Sequence, residues 1–215
     1  MIHKSVNNLV SIEKEIQLKK NNVQIIAVSK TFPVSHIYPL INYGHKDYGE
    51  NKVQEAAEKW TDIKKDFSHI QLHLIGKLQT NKVKYALPLF DYIHSLDNTK
   101  LAEKIAAEQI KKKFKPKIFV QVNIGNEDQK NGIDPEYLSK LVNNCKENLD
   151  LNIVGLMCIP PVNDNSQIFF EKMCELKKEM NLKDLSMGMS NDYMHAIYFD
   201  ANFVRIGSKI FGERS

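Results

Sequence analysis

Only two of the 30 Lys and Arg residues in this chain are arginines, Arg205 and Arg214, both within its last eleven positions. Lysine is a compact point charge that can lose its proton, whereas arginine is a flat fork of donors that keeps its charge. Arg205 sits in Phe-Val-Arg-Ile-Gly (203–207), an apolar run that ends in glycine. That placement fits a planar, fixed-direction contact at a strand end; an ordinary salt bridge is the competing reading. Lys30 closes a similar run, Ile-Ile-Ala-Val-Ser-Lys (25–30). Partial desolvation there disfavours the ammonium form and yields a nucleophilic amine able to form a Schiff base. The same position also suits a lysine that snorkels to solvent.

These residues need elements to bring them together. After an amphipathic helical segment at about 3–21, the chain alternates short apolar runs with helix-like stretches. The runs are 24–29, 46–49, 72–76, 92–96, 117–123, 153–159, 185–189 and 203–207. The stretches include 53–63, 80–87, 100–113, 135–148 and 166–180, with Asn98, Asp134 and Asn165 as capping residues. Alternation repeated eight times predicts parallel sheet, and eight units predict an α/β fold closed as a single (β/α)8 TIM barrel with an extra N-terminal helix. An open doubly wound sheet is the alternative. With no linker or composition shift, the expectation is one domain over 1–215.

In such a barrel, chemistry sits at the C-terminal strand ends. Those ends carry Lys30, Asn51, Gly76, Ser95, Asn123, Met157, Ser190, Arg205 and Gly207. The loops after the last two strands often build a phosphate site from backbone N–H groups. Here they hold Ser190, Gly207 and Ser208, although Ser190 also reads as a plain helix cap and Gly207 as a turn glycine. A Schiff-base lysine, a phosphate cup and an arginine two residues before the cup's glycine fit pyridoxal 5′-phosphate (PLP). Arg205 would meet the ring nitrogen and keep it unprotonated, weakening the cofactor as an electron sink. Asn51 either caps the next helix or faces the cofactor.

Other chemistries fit less well. His73 and His94 fall on the third and fourth strands, but no H-E-x-x-H or Cys/His ligand spacing accompanies them. Gly-Lys-Leu-Gln-Thr-Asn-Lys (76–82) lacks the spacing of a nucleotide P-loop. The net charge is +4, and the lysine clusters at 64–65 and 111–113 read as solvated helix faces, not a nucleic-acid patch. Cys145, Cys158 and Cys174 are odd in number without C-x-x-C spacing, as in a reduced, cytoplasmic protein. The first residues lack the apolar core of a signal peptide. No run approaches the ~20 apolar residues of a membrane span.

Five stretches carry a resemblance. They are Ala-Val-Ser-Lys-Thr (27–31), Tyr-Gly-Glu-Asn-Lys-Val-Gln-Glu (48–55), His-Leu-Ile-Gly-Lys-Leu-Gln-Thr-Asn-Lys (73–82), Leu-Ser-Met-Gly-Met-Ser-Asn-Asp (185–192) and Val-Arg-Ile-Gly-Ser-Lys-Ile-Phe-Gly-Glu-Arg (204–214). In this combination and order the chain resembles the YggS/PROSC family of pyridoxal phosphate homeostasis proteins. The resemblance implies a barrel like the N-terminal domain of alanine racemase. It implies a Schiff base at Lys30, Arg205 facing the pyridine nitrogen, phosphate held by Ser190, Gly207 and Ser208, and Asn51 near the ring. It also implies a protein without robust catalytic activity that buffers or delivers the cofactor, with PLP-dependent apo-enzymes as partners and effects on amino- and keto-acid metabolism.

The chain ends at Ser215, leaving no room for the racemase's second domain with its opposing base, so a monomer is expected. A racemase needs a base on each face of the substrate carbon; only Lys30 is evident. A PLP-dependent amino-acid racemase or lyase is the alternative, and a cofactor-free lysine aldolase a further one. Two departures from the family pattern stand out: Thr31-Phe32-Pro33 after the lysine, and Asp200-Ala201-Asn202 before Val-Arg-Ile-Gly. The second raises the expectation of a lost contact near the phosphate.

Overall fold

The structure, a computed structural model, describes residues 3–20, 22–127, 131–161 and 165–213. Arg214 lies outside these. The eight apolar runs form eight strands: β1 (Gln24–Val28), β2 (Asp47–Glu50), β3 (Gln71–Leu74), β4 (Tyr92–Leu96), β5 (Lys117–Val122), β6 (Asn152–Cys158), β7 (Asp184–Met189) and β8 (Phe203–Ile206). Each pairs in parallel with the next, and β8 closes on β1 through Ile26 opposite Arg205. The closed barrel is therefore observed, and the open sheet is not. The predicted strand bounds hold to within one or two residues, with β4 matched at both ends.

Strands of a closed parallel barrel are buried on both faces, and successive side chains alternate between them. In β8, Val204 and Ile206 join the aliphatic layer beneath the helices, while Phe203 joins Ile26, Tyr92, Phe119 and Met157 inside the barrel. His73 and His94 also lie inside, stacked on Tyr92 and Phe119 with ring centroids 4.3 and 4.4 Å apart.

The outer ring contains α2 (Val34–Tyr43), α3 (Val53–Trp60), α4 (Ile63–Asp66), α5 (Val83–Ala86), α6 (Thr99–Lys112), α7 (Pro135–Asn143), α8 (Ser166–Glu179), α9 (Tyr193–Tyr198) and α10 (Ser208–Phe211), after a leading α1 (Lys4–Gln17). Three predicted caps act as such: Asn98 accepts from Leu101 N–H, Asp134 from Glu136 N–H and Asn165 from Gln167 N–H. The segment read as one helix over 53–63 stops at Trp60, where Thr61 turns its hydroxyl back onto the Ala57 carbonyl. The segment read over 135–148 is α-helical to Asn143 and then widens into a π turn (Asn144–Asn148). Helix α1 packs through Val6, Leu9, Ile12 and Ile16, and Asn8 donates to the Ile210 carbonyl (3.0 Å), bracing α10. Among the described residues no helix is long and apolar enough to cross a membrane.

Candidate functional site

A cavity of about 480 Å³ opens at the C-terminal ends of the strands, and Lys30, Asn51, Ser190, Arg205, Gly207 and Ser208 all line it. Its volume lies in the range of small-molecule sites. Val28, Phe32, Ile75, Ile159 and Met189 supply apolar wall.

The turn after β1 that carries Lys30 is clamped. Thr31, β-branched, adopts φ 69°, a left-handed conformation that such residues rarely take. Its N–H donates to Glu55 Oε1 (2.7 Å). On the other side of Lys30, Ser29 Oγ–H donates to Glu50 Oε1 (2.8 Å). Lys59 Nζ ties both halves together by donating to the Ser29 carbonyl, Glu50 and Glu55. Burial pushes the Glu55 carboxyl up, but the Thr31 N–H and Lys59 outweigh it and hold the group below its ordinary value. The strain at Thr31 is thus balanced by charge-assisted bonds from α3.

Arg205 is 4% exposed and points into the barrel. Its Nη1–H donates to Ser186 Oγ and its Nη2–H to the Cys158 carbonyl, both at 2.8 Å. The salt-bridge reading of Arg205 is replaced by two neutral acceptors. Burial pushes the neighbouring Cys158 thiol up to about 12, so it stays protonated and adds no charge.

Ser190 does not cap the helix that follows it. Its Oγ instead accepts from the N–H groups of Gly207 and Lys209 at 3.4 and 3.5 Å, across from β7 to the start of α10. That leaves the Ser190 hydroxyl its own proton to donate, and Ser208, which also lines the cavity, carries a second hydroxyl; both suit an anion. Gly207 has φ −114°, and a Cβ built there would only reach Val28 at 3.4 Å. The backbone itself does not demand glycine at this position. Asn51 is not a cap either, since Lys52 precedes α3 and Asn51 lines the cavity. Gly76 serves Asn51: a Cβ there would strike the Asn51 carbonyl oxygen at 2.4 Å.

The remaining residues expected at the strand ends do not line this cavity. Met157 lies in the barrel core, Ser95 is buried, and the Asn123 amide holds the Glu127 backbone. Among the described residues no group of three His, Cys, Asp or Glu could hold a metal. Sequence reasoning missed Phe32 and Glu213 as lining residues. Phe32 packs on Phe211 at 4.9 Å, so the departure at 31–33 places an aromatic wall beside Lys30.

The concern over Asp200-Ala201-Asn202 is overturned. These residues precede β8, so they sit at the opposite end of the barrel, roughly 16 Å of strand away from Gly207. Asn202 there accepts from Leu185 N–H, and Asp200 pairs with Lys20 and Lys177.

The family described as "Alanine racemase, N-terminal domain" matches residues 6–215. A pyridoxal phosphate homeostasis protein of Aquifex aeolicus is 40% identical over 204 residues, covering 91% of this chain and 89% of its own. One of Haemophilus influenzae is 35% identical over 212 residues, covering 94% and 90%. The structure of PipY from Synechococcus elongatus with PLP bound superposes with a TM-score of 0.87 at 32% identity, covering 97% of this chain and 100% of that one. Alanine racemase of Clostridium difficile shares the fold (TM-score 0.76, 14% identity), with 98% of this chain matching 57% of that one.

Proposed function

The chain belongs to the alanine racemase N-terminal-domain family, among its pyridoxal phosphate homeostasis proteins, and from that premise we propose that it binds PLP and buffers or delivers it. One observation carries this reading: an amine, a buried guanidinium and a set of anion donors line one cavity. That donor set fits the cofactor's aldehyde, ring nitrogen and phosphate. When bound, PLP supplies an aldehyde and an electron-withdrawing ring. The Lys30 amine is the group that would hold the aldehyde. Arg205 would donate to the ring nitrogen and, keeping its own charge, would leave that nitrogen without a proton. Ser190, Ser208 and the backbone at Gly207 would hold the phosphate, with Asn51 beside the ring.

The protein acts without robust catalysis, as one domain over 1–215, monomeric and cytoplasmic, with PLP-dependent apo-enzymes as recipients. Racemisation needs an acid/base group on each face of the substrate carbon. Among the described residues, those lining the cavity include Lys30 and a single carboxylate, the exposed Glu213, and no tyrosine. Sustained turnover of amino acids with added PLP would instead favour a racemase or lyase. Light scattering that shows a stable dimer would overturn the monomer.

Borohydride reduction in the presence of PLP, followed by peptide mapping, tests the cofactor assignment. A pyridoxyl adduct on Lys30 alone is expected. Adducts scattered over many lysines, or none, would remove PLP and bring forward an aldolase that uses Lys30 without a cofactor.

A further inference from the structure

Arg205 stands at one end of a chain of side chains that crosses the barrel interior. Its Nη1–H donates to Ser186 Oγ at 2.8 Å. Ser186 Oγ lies 2.9 Å from His94 Nδ1, and His94 Nε2 lies 3.0 Å from His73 Nδ1. His73 Nε2 lies 3.0 Å from Asp47 Oδ1. Ser186, His94 and His73 are fully buried, while Asp47, the first residue of β2, borders a separate cavity of about 520 Å³ at the opposite end of the barrel.

The two ends set the direction of every bond. A guanidinium only donates and a carboxylate only accepts. Ser186 receives a proton from Arg205, so its own proton goes to His94 Nδ1. His94 then carries its proton on Nε2 and gives it to His73 Nδ1. His73 also carries its proton on Nε2 and gives it to Asp47. Each group between the ends donates once and accepts once, and a single tautomer of each ring satisfies all four bonds. A ring flip would also break the stacking of His73 on Tyr92 (interplanar angle 11°) and of His94 on Phe119 (15°).

The geometry points to Asp47, His73, His94 and Ser186 as a one-directional positioning chain that holds the Arg205 fork at the cavity floor and leaves its remaining N–H groups for the ligand. What Arg205 then meets rests on the PLP reading; the chain itself requires no ligand.

The charged surroundings agree with two neutral rings. Burial presses His73 below its ordinary pKa and Lys117 adds to this, against Asp47 and Asp91. Burial, His73 and Arg205 press His94 well below its own. His45, beside Asp47, is likewise lowered by burial. Tyr92 and Phe119 stack on the rings, and Cys158 and Asp192 are the other titratable groups acting on Arg205. A second proton on His73 would set N–H against N–H at His94.

Ring-nitrogen NMR of the PLP-free protein tests the chain directly. Both histidines are expected as neutral Nε2–H forms at the ordinary imidazole pKa of about 6.5 and above. An Nδ1–H form, or titration of either ring near its ordinary value, overturns the chain. The Arg205 Nη–H signals test the positioning: distinct and slowly rotating in the native chain, averaged in Ser186→Ala, restored in Ser186→Thr. With PLP, Ser186→Ala is expected to weaken binding about tenfold and to move the absorption maximum of the bound cofactor. Arg205 signals that stay unaveraged in Ser186→Ala, with affinity unchanged, overturn the positioning role. If the rings and Arg205 behave as expected but Lys30 takes up no PLP, the cofactor reading fails and the chain stands.

Discussion

The inside of this barrel and the layer between its strands and helices are made by the same strands on different terms. In β3, β4 and β8 the outward residues include Leu72, Leu74, Ile93, Val204 and Ile206, all aliphatic and buried. The inward residues are His73, Tyr92, His94, Phe203 and Arg205. The outer layer is held by apolar burial, which is non-directional and scales with area. Inside, each polar group must find a partner at a set angle or bear the cost of desolvation. The outer layer therefore supports stability, while the interior orients a functional group at the mouth.

The sharpest test of that division is Lys30→Ala. It is expected to abolish the visible absorbance of bound cofactor near ~420 nm while far-UV circular dichroism stays unchanged. A retained band would refute the lysine assignment.

Next in size is a change at a charged pair set into the outer layer. Glu50 is fully buried, and Lys59 reaches it at 2.9 Å. Lys59→Met leaves that carboxylate unpaired and should cost about 3–5 kcal/mol in urea unfolding. Ser29 Oγ–H and Trp60 Nε1–H also donate to Glu50 Oε1, at 2.8 and 3.0 Å, and a loss under about 1 kcal/mol would mean that these two suffice.

Leu72→Ala removes outer-layer packing and should cost about 2–5 kcal/mol without moving the absorption maximum of bound PLP. Movement of that maximum would break the division between the two layers.

The smallest effect belongs to the interior rings. His73 and His94 are neutral when folded and gain protons near pH 6.5 when unfolded. Their contribution to stability is thus complete above that pH and is lost as the pH falls toward their depressed folded values. The slope reaches at most about 1.4 kcal/mol per pH unit for each ring. His94→Phe keeps the ring on Phe119 but removes one titrating group, so its stability should fall less steeply between about pH 6.5 and 5. An unchanged slope would show that His94 does not contribute to it.

Much of the fold was legible because its signals are local. Apolar runs of strand length, caps such as Asn98 and Asp134, and eightfold alternation do not depend on distant residues. Segment 34–43 was not named as a helix, as Pro39 removes a donor from its middle; Ile37, Leu40 and Ile41 hold it against the barrel. The six candidate site residues were legible from their places at strand ends. Phe32 and Glu213 were not, because an apolar turn residue and a charged one near the chain end carry no spacing signal.

The sequence by itself determined the strand count and the eightfold alternation that predicts a barrel, and it marked Lys30, Asn51, Ser190, Arg205, Gly207 and Ser208 as candidates at the strand ends. Only the tertiary structure decided what each of them meets. Ser190 turned from a helix cap to the start of α10, Asp200-Ala201-Asn202 fell at the far end, and His73 and His94, two unpartnered histidines in the sequence, became links to Arg205. The physical reason is that periodicity tells which face a residue occupies. Partners for buried donors and acceptors come instead from strands as far apart in sequence as β2, β4 and β7, and only closing the barrel brings them within hydrogen-bond reach.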